Sequence, residues 1–218
     1  MTVAKPSVAE KRAYRSPTRA RQRADTRARV IVAAEECFVD RGYSTTTIVA
    51  IAEAADVSAE TVYAIFGNKR GLLQAVIEAA VAGNAEGGEL FHDDLLARMR
   101  AEPDQRRRFA LITETTRGLL ARTAAIDAVA REAAASDPEI AAMQREHDRK
   151  TLRDVRRLVG LLAEAGPLRM SEADAADRMW ALAQHSDFYH SLTTSRRWSH
   201  GRAFDAVGDT LARMLFDD

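Results

Sequence analysis

The 218-residue chain has a single cysteine, Cys37, and therefore no internal disulfide framework. That fits a reducing, cytoplasmic setting, with Cys37 read as a small buried side chain in a helical apolar run. No apolar run reaches the ~18 residues that a membrane span needs. The N-terminus carries charge without the apolar stretch of a secretory signal. Catalytic signatures are also missing. His92, His147, His185, His190 and His200 form no His-Glu-x-x-His pair. Glu89 and His92 make one Glu-x-x-His, whereas a di-iron bundle needs two plus further carboxylates. There is no glycine-rich phosphate loop and no Gly-x-Ser-x-Gly elbow. No enzyme, metal site or cofactor is expected.

Net charge is zero, so any affinity for nucleic acid must come from local charge. The charge is unevenly spread. Residues 1–30 hold nine Lys and Arg against Glu10 and Asp25, 9 − 2 = +7, which leaves −7 for the remainder. Large apolar residues are nearly absent from the first twenty positions, so residues 1–23 read as a flexible basic arm. Such an arm is either a solvated tail or a ligand for a polyanion.

Sustained period-two alternation is absent, and apolar residues recur at three and four, which predicts an all-α chain. Val30, Ile31, Ala34, Cys37 and Phe38 mark one helix, closed by Gly42. Thr46 or Thr47 caps a short helix carrying Ile48, Ile51, Ala52 and Ala55. Ser58 caps a second short one, ended by Gly67-Asn68. Leu72, Leu73, Val76, Ile77 and Ala80 lie on the next. Further helices are expected from Asp104 to about Leu120, over 124–135, from Pro138 to about Glu164, from Ser171 to about Leu192, and from His200 to Phe216. A composition shift over 83–104 divides a first domain, 24–82, from a second, 83–218.

Two short helices joined by a tight turn over residues 47–66 form a helix-turn-helix, whose second helix enters the major groove of DNA. Val62 and Phe66 are spaced to face a small core. Ser58, Ala59, Thr61, Tyr63 and Ala64 then face outward, with hydroxyls for phosphates or base edges and small side chains that allow close approach. Lys69 stands where it can meet a phosphate.

The stretch GYSTTTIVAIAEAADVSAETVYAIFGNKRGLL resembles the TetR family of bacterial transcriptional regulators, with the likeness running from about Thr26 to Leu73. The resemblance implies an N-terminal three-helix DNA-binding domain and a larger helical domain for ligand binding and dimerisation. It implies that Thr46 and Thr47 cap the first short helix and touch phosphate. Ser58, Ala59, Glu60 and Thr61 open the recognition helix, and Tyr63 and Lys69 each bind a phosphate. Asp56 and Glu60 stand at positions often held by glycine in that family, and Ile65 at one often held by histidine. Glu60 has two readings, an acceptor for cytosine N4 or a favourable charge in a first helical turn.

A stripe of Ile140, Met143, His147, Thr151, Val155, Leu158 and Leu162 is interrupted by polar residues only in its middle. Thr116 interrupts the helix bearing Phe109 and Ile112 in the same way. Phe109, Ile112, Thr116, Met143, His147, Thr151 and Trp180 are therefore the candidate walls of a mostly apolar pocket, though His147 also suits a partly exposed or locally satisfied histidine and Trp180 a plain core. Phe204, Val207, Leu211 and Met214 have the three-four spacing of a helix-packing seam, the candidate homodimer interface. The reading is a ligand-responsive repressor that binds a pseudo-palindromic DNA operator as a homodimer and releases it on taking up a small apolar effector. The alternatives are a ligand-independent DNA-binding or architectural protein, or a small helical enzyme or ligand carrier.

Overall fold

A computed structural model describes residues 17–83, 93–184 and 187–217, and every regular element among them is helical. The elements are α1 Pro17–Arg41, α2 Ile48–Ala54, α3 Ala59–Phe66, α4 Lys69–Ala82, α5 Asp93–Ala101, α6 Gln105–Ala134, α7 Pro138–Ala163, α8 Glu172–Gln184, α9 Asp187–His190 and α10 His200–Leu215. A π-helical turn, Ser191–Ser195, lies between the last two.

Local chemistry sets the boundaries of the short helices. Thr47, Ser58 and Asn68 are extended residues whose side-chain oxygens accept from Ala50 N, Thr61 N and Gly71 N respectively, satisfying donors that a helix start leaves open. Gly67 ends α3 at φ 77°, a conformation that L side chains resist. Four residues later, a Cβ on Gly71 would sit 2.3 Å from the Phe66 carbonyl oxygen, so only glycine lets α4 start this close to the end of α3. Asp137 caps α7 through Glu139 N and Ile140 N, with Pro138 at the first helical position.

Three sequence expectations need correction. The flexible arm expected over 1–23 is helical from Pro17; residues 1–16 lie outside the described residues. The region taken as a boundary contains α5, whose Leu95, Leu96 and Met99 are buried, while 84–92 lie outside the described residues. The helices expected to 120 and over 124–135 are one helix, α6. Nothing between them breaks a helix, and the lone Gly118 costs only about 1 kcal/mol. The helix expected from Ser171 to Leu192 is described as α8 to Gln184 and as α9 from Asp187 to His190, with 185–186 outside the described residues.

The two domains share packing. The first core joins Val30, Phe38, Ile51, Val62, Leu72 and Val76 of α1–α4 to Ile126, Val129, Ala130 and Ala133 of α6 and Ile140 of α7. A second core gathers α5, the first half of α6, the later half of α7, α8 and α10 around Met99, Leu158, Leu162 and Leu215. Polar ties reinforce the junction. Arg70 on α4 meets Asp137 at 3.4 Å and Glu139 at 2.6 Å. Arg122 on α6 donates to the carbonyls of Ala80 (2.9 Å) and Val81 (3.3 Å), which are orphan acceptors at the end of α4.

Candidate DNA interface and effector cavity

The α2–α3 unit is anchored from beneath. Ile48, Ile51 and Ala52 of α2 and Val62 of α3 are buried. Phe66 and half-buried Ala59 pack on the same core. Ser58, Glu60, Tyr63 and Ala64 are exposed, so one face of α3 is left to solvent, with Tyr63 52 % exposed. Thr61 is half-buried, and its hydroxyl lies 3.1 Å from that of Ser58. Glu60 folds toward its own helix start. Its backbone N–H and the Ser58 hydroxyl hold its carboxyl below the ordinary value. The favourable first-turn charge and the exposed position thus coexist.

Asp56, in the turn before Ser58, has φ 54°. That is the left-handed region, where glycine is easiest and Asp is among the tolerated exceptions. The glycine habit at this position therefore has a backbone cause.

Thr46 and Lys69 have structural partners that the sequence did not disclose. Thr47, not Thr46, is the cap of α2. The Thr46 side chain is buried, and its hydroxyl donates to the carbonyls of Cys37 (3.0 Å) and Gly42 (2.7 Å). It ties the end of α1 to the start of α2. The Lys69 ammonium donates to the carbonyls of Tyr43 (2.8 Å) and Thr46 (2.9 Å). Burial lowers its pKa from the ordinary lysine value.

The second domain contains a narrow cavity. Phe109, Ile112, Thr113, Thr116, Leu119 and Leu120 of α6 form one wall. Thr151 and Val155 of α7, Met179 of α8, and Phe204, Val207, Gly208 and Leu211 of α10 form the rest. None of these side chains is charged. The centre of a water-sized sphere has about 60 Å³ to occupy, far below the ~300–1,000 Å³ of drug-sized sites. Occupancy by such a molecule requires the helices around the cavity to part. Thr116 donates its hydroxyl to Ile112 O at 2.9 Å, leaving its oxygen lone pairs for a donor in the cavity.

Four of the expected pocket residues, Phe109, Ile112, Thr116 and Thr151, line this cavity, and three do not. Met143 packs against the first core instead, and Trp180 against the second. His147 lies one turn before Thr151, toward the first core. The stripe on α7 is longer than the cavity, so its N-terminal part serves a different contact. The candidate dimer residues also turn inward. Phe204, Val207 and Leu211 are buried within their own chain, where they line the cavity, and Met214 packs on the second core. Their spacing does mark the packing face of α10, but the partner is α6 and α8.

Between the cavity and the first core lies a polar layer. Thr123 and Asp127 of α6 follow Leu120 by one and two turns, while His147 and Asp148 precede Thr151 on α7. Burial pushes the Asp127 carboxyl up to about 6 and Asp148 adds to the rise, while the Thr123 hydroxyl and the Arg131 guanidinium oppose it. Burial lowers the His147 imidazole, with Lys150 acting the same way and Asp148 against. Among the described residues, no three His, Cys, Asp or Glu side chains are grouped to hold a metal ion. No helix there is long and apolar enough to cross a membrane.

The model of the bacterial regulatory proteins of the tetR family matches residues 30–76, the stretch from the first buried turns of α1 into α4. The HTH-type transcriptional regulator TtgR of Pseudomonas putida is 44 % identical over 55 residues, which cover 25 % of this chain and only 26 % of that relative. NalD, the secondary repressor of the MexAB-OprM multidrug efflux pump in Pseudomonas aeruginosa, has the same fold. Its TM-score is 0.68 over 91 % of this chain and 99 % of its own, at 23 % identity. SmeT, the repressor of the multidrug efflux pump SmeDEF of Stenotrophomonas maltophilia, matches in its triclosan complex. There the TM-score is 0.65, over 88 % of this chain and 92 % of its own, at 19 % identity. The helix-turn-helix is built on the residues that match the tetR-family model, and the fold of NalD and SmeT runs along nearly the whole length, so residues 30–76 are similar to the DNA-binding segment of the TetR family and the described helices share the fold of these two repressors.

Proposed function

We propose that the protein is a ligand-responsive repressor that binds duplex DNA as a homodimer and leaves it when a small, uncharged, largely apolar molecule enters the second domain. The exposed face of α3 supplies the DNA contacts. Tyr63 and the caps Thr47 and Ser58 serve phosphates, while exposed Glu60 and Ala64, flanked by half-buried Ala59 and Thr61, serve the base edges. One eight-residue helix reads only a half-site, so two copies spaced by a helical turn of DNA are needed for an operator.

One observation carries the reading of ligand response: α6 is continuous between the two cores. Its first half lines the cavity, and its last turns, at Ile126, Val129, Ala130 and Ala133, belong to the core on which α1–α4 are assembled. A molecule that parts α6 from α10 therefore bears on the helices that aim α3. The ligand can shift the equilibrium only by its difference in affinity for the two arrangements. The threonine oxygens favour a ligand with one or two donors on an apolar body, in line with the triclosan bound to SmeT.

The test begins with selection of duplexes from a random library by the wild-type protein. Tyr63→Phe should then weaken all duplexes alike, and Glu60→Ala should change which ones are preferred. Triclosan titrated into the complex with the selected duplex should release it, and Ile112→Trp, which fills the cavity, should prevent release while binding persists. No selectable duplex would end the DNA reading. Equal release from wild type and Ile112→Trp would end the cavity reading.

A further inference from the structure

We propose that the face of α1 carrying Arg23 and Arg27 is a second DNA contact, reaching phosphates that flank the half-site read by α3; this rests on the DNA-binding reading above. Before Val30, the first buried side chain described on α1, the helix runs about 20 Å from Pro17. This extension is not the loose arm that its composition predicts. Residues 20–29 carry Arg21, Arg23, Arg27 and Arg29 against Asp25, 4 − 1 = +3. The acidic side chains of α1 other than Asp25 come after Val30, at Glu35, Glu36 and Asp40. Charge is therefore segregated along one helix, with the cationic end away from the core.

The direction of that end is fixed by a contact. The Arg27 guanidinium carbon lies 5.5 Å from the centre of the Phe66 ring, a cation–π distance. Phe66 is the last residue of the recognition helix and lies three positions after exposed Tyr63, on neighbouring surface. Arg23 is four residues before Arg27 and so lies on the same face of α1, one turn farther out. It is exposed. The stripe thus leads from the edge of the DNA-reading face outward along the same side.

Two arginines four apart repel each other in the free protein. Burial offers no compensation to Arg23. A row of phosphates does, because each arginine releases condensed counterions when it pairs there. Arg29 is two positions from Arg27 and lies on the other side of the helix, which makes it an internal control of equal charge.

The experiment uses the full chain and the duplex recovered by selection, in two lengths, with and without half a helical turn of flank outside each half-site. Affinity is measured against salt for wild type, Arg23→Ala, Arg23→Lys and Arg29→Ala. With one contact per protomer, Arg23→Ala should flatten the log–log salt dependence by about 1.8 for the dimer on the long duplex. It should leave sequence preference unchanged. Arg23→Lys should restore most of the slope, and Arg29→Ala should match wild type. On the trimmed duplex, wild type and Arg23→Ala should coincide. A wild-type slope in Arg23→Ala, or equal flattening in Arg29→Ala, would overturn the proposal while leaving specific binding by α3 intact. Absence of duplex binding by the wild type would remove both.

Discussion

The ammonium of Lys69 lies 4.3 Å from the centre of the Tyr43 ring and donates to the backbone carbonyl of the same residue at 2.8 Å. With its second bond to the Thr46 carbonyl, the first side chain of α4 closes the loop between α1 and α2. The helix-turn-helix is thus held from behind by a lysine that its position alone would assign to DNA.

Lys69→Met tests which role dominates. Methionine keeps much of the apolar stem and loses the charged donor. Two carbonyls lose a charge-assisted bond, so stability should fall by about 2 kcal/mol, read by urea unfolding. The salt slope of duplex binding should stay at the wild-type value, because the lysine is engaged with backbone oxygens. A slope flattened by about 0.9 per protomer with unchanged stability would return Lys69 to the phosphates.

The helix-turn-helix was legible because its signals are local. Caps at Thr47 and Ser58 act within three residues, and the three-four apolar spacing follows from helix geometry. The inward turn of Thr46 was not legible, since its partners are the carbonyls of Cys37 and Gly42 and adjacent threonines look alike in sequence. The cavity was half legible for a related reason. An apolar stripe shows which face of α7 is covered but not by what. His147 and Met143 share the stripe with Thr151, yet Met143 meets the first core and Thr151 the cavity. Phe204, Val207 and Leu211 had the pattern of a seam, and a pattern cannot tell a partner in the same chain from one in a second copy.

Gly208 on α10 offers a probe of the cavity that leaves its polar groups in place. A Cβ there would have Thr113 Cγ2 as its nearest neighbour, at 3.8 Å, an ordinary contact. Gly208→Ala should therefore fit and should raise stability by about 0.5–1 kcal/mol through helix propensity. The added methyl narrows a space already too small for a drug-sized guest. Release of the selected duplex by triclosan should need more ligand, while affinity for the duplex without ligand stays unchanged. A lowered melting temperature, or an unshifted release midpoint, would show that the space at Gly208 is not where the effector goes.

Asp127 gives the polar layer a signature in pH. Its carboxyl is raised from an ordinary 3.8 to about 6, chiefly by burial. A raised carboxyl pKa means that the folded state favours the protonated form. The associated stability is complete below the unfolded value near 3.8 and is lost as pH rises through about 6. The difference corresponds to about 3 kcal/mol. Asp127→Asn keeps an acceptor for the Thr123 hydroxyl and removes the titration. Unfolding free energies of wild type and variant, measured from pH 4 to pH 7, share every other titrating group, so their difference isolates this one. The variant should gain on the wild type steadily from about pH 4 to about pH 6 and then hold a constant advantage. Parallel curves would show that the charged carboxylate is accommodated in this layer without cost.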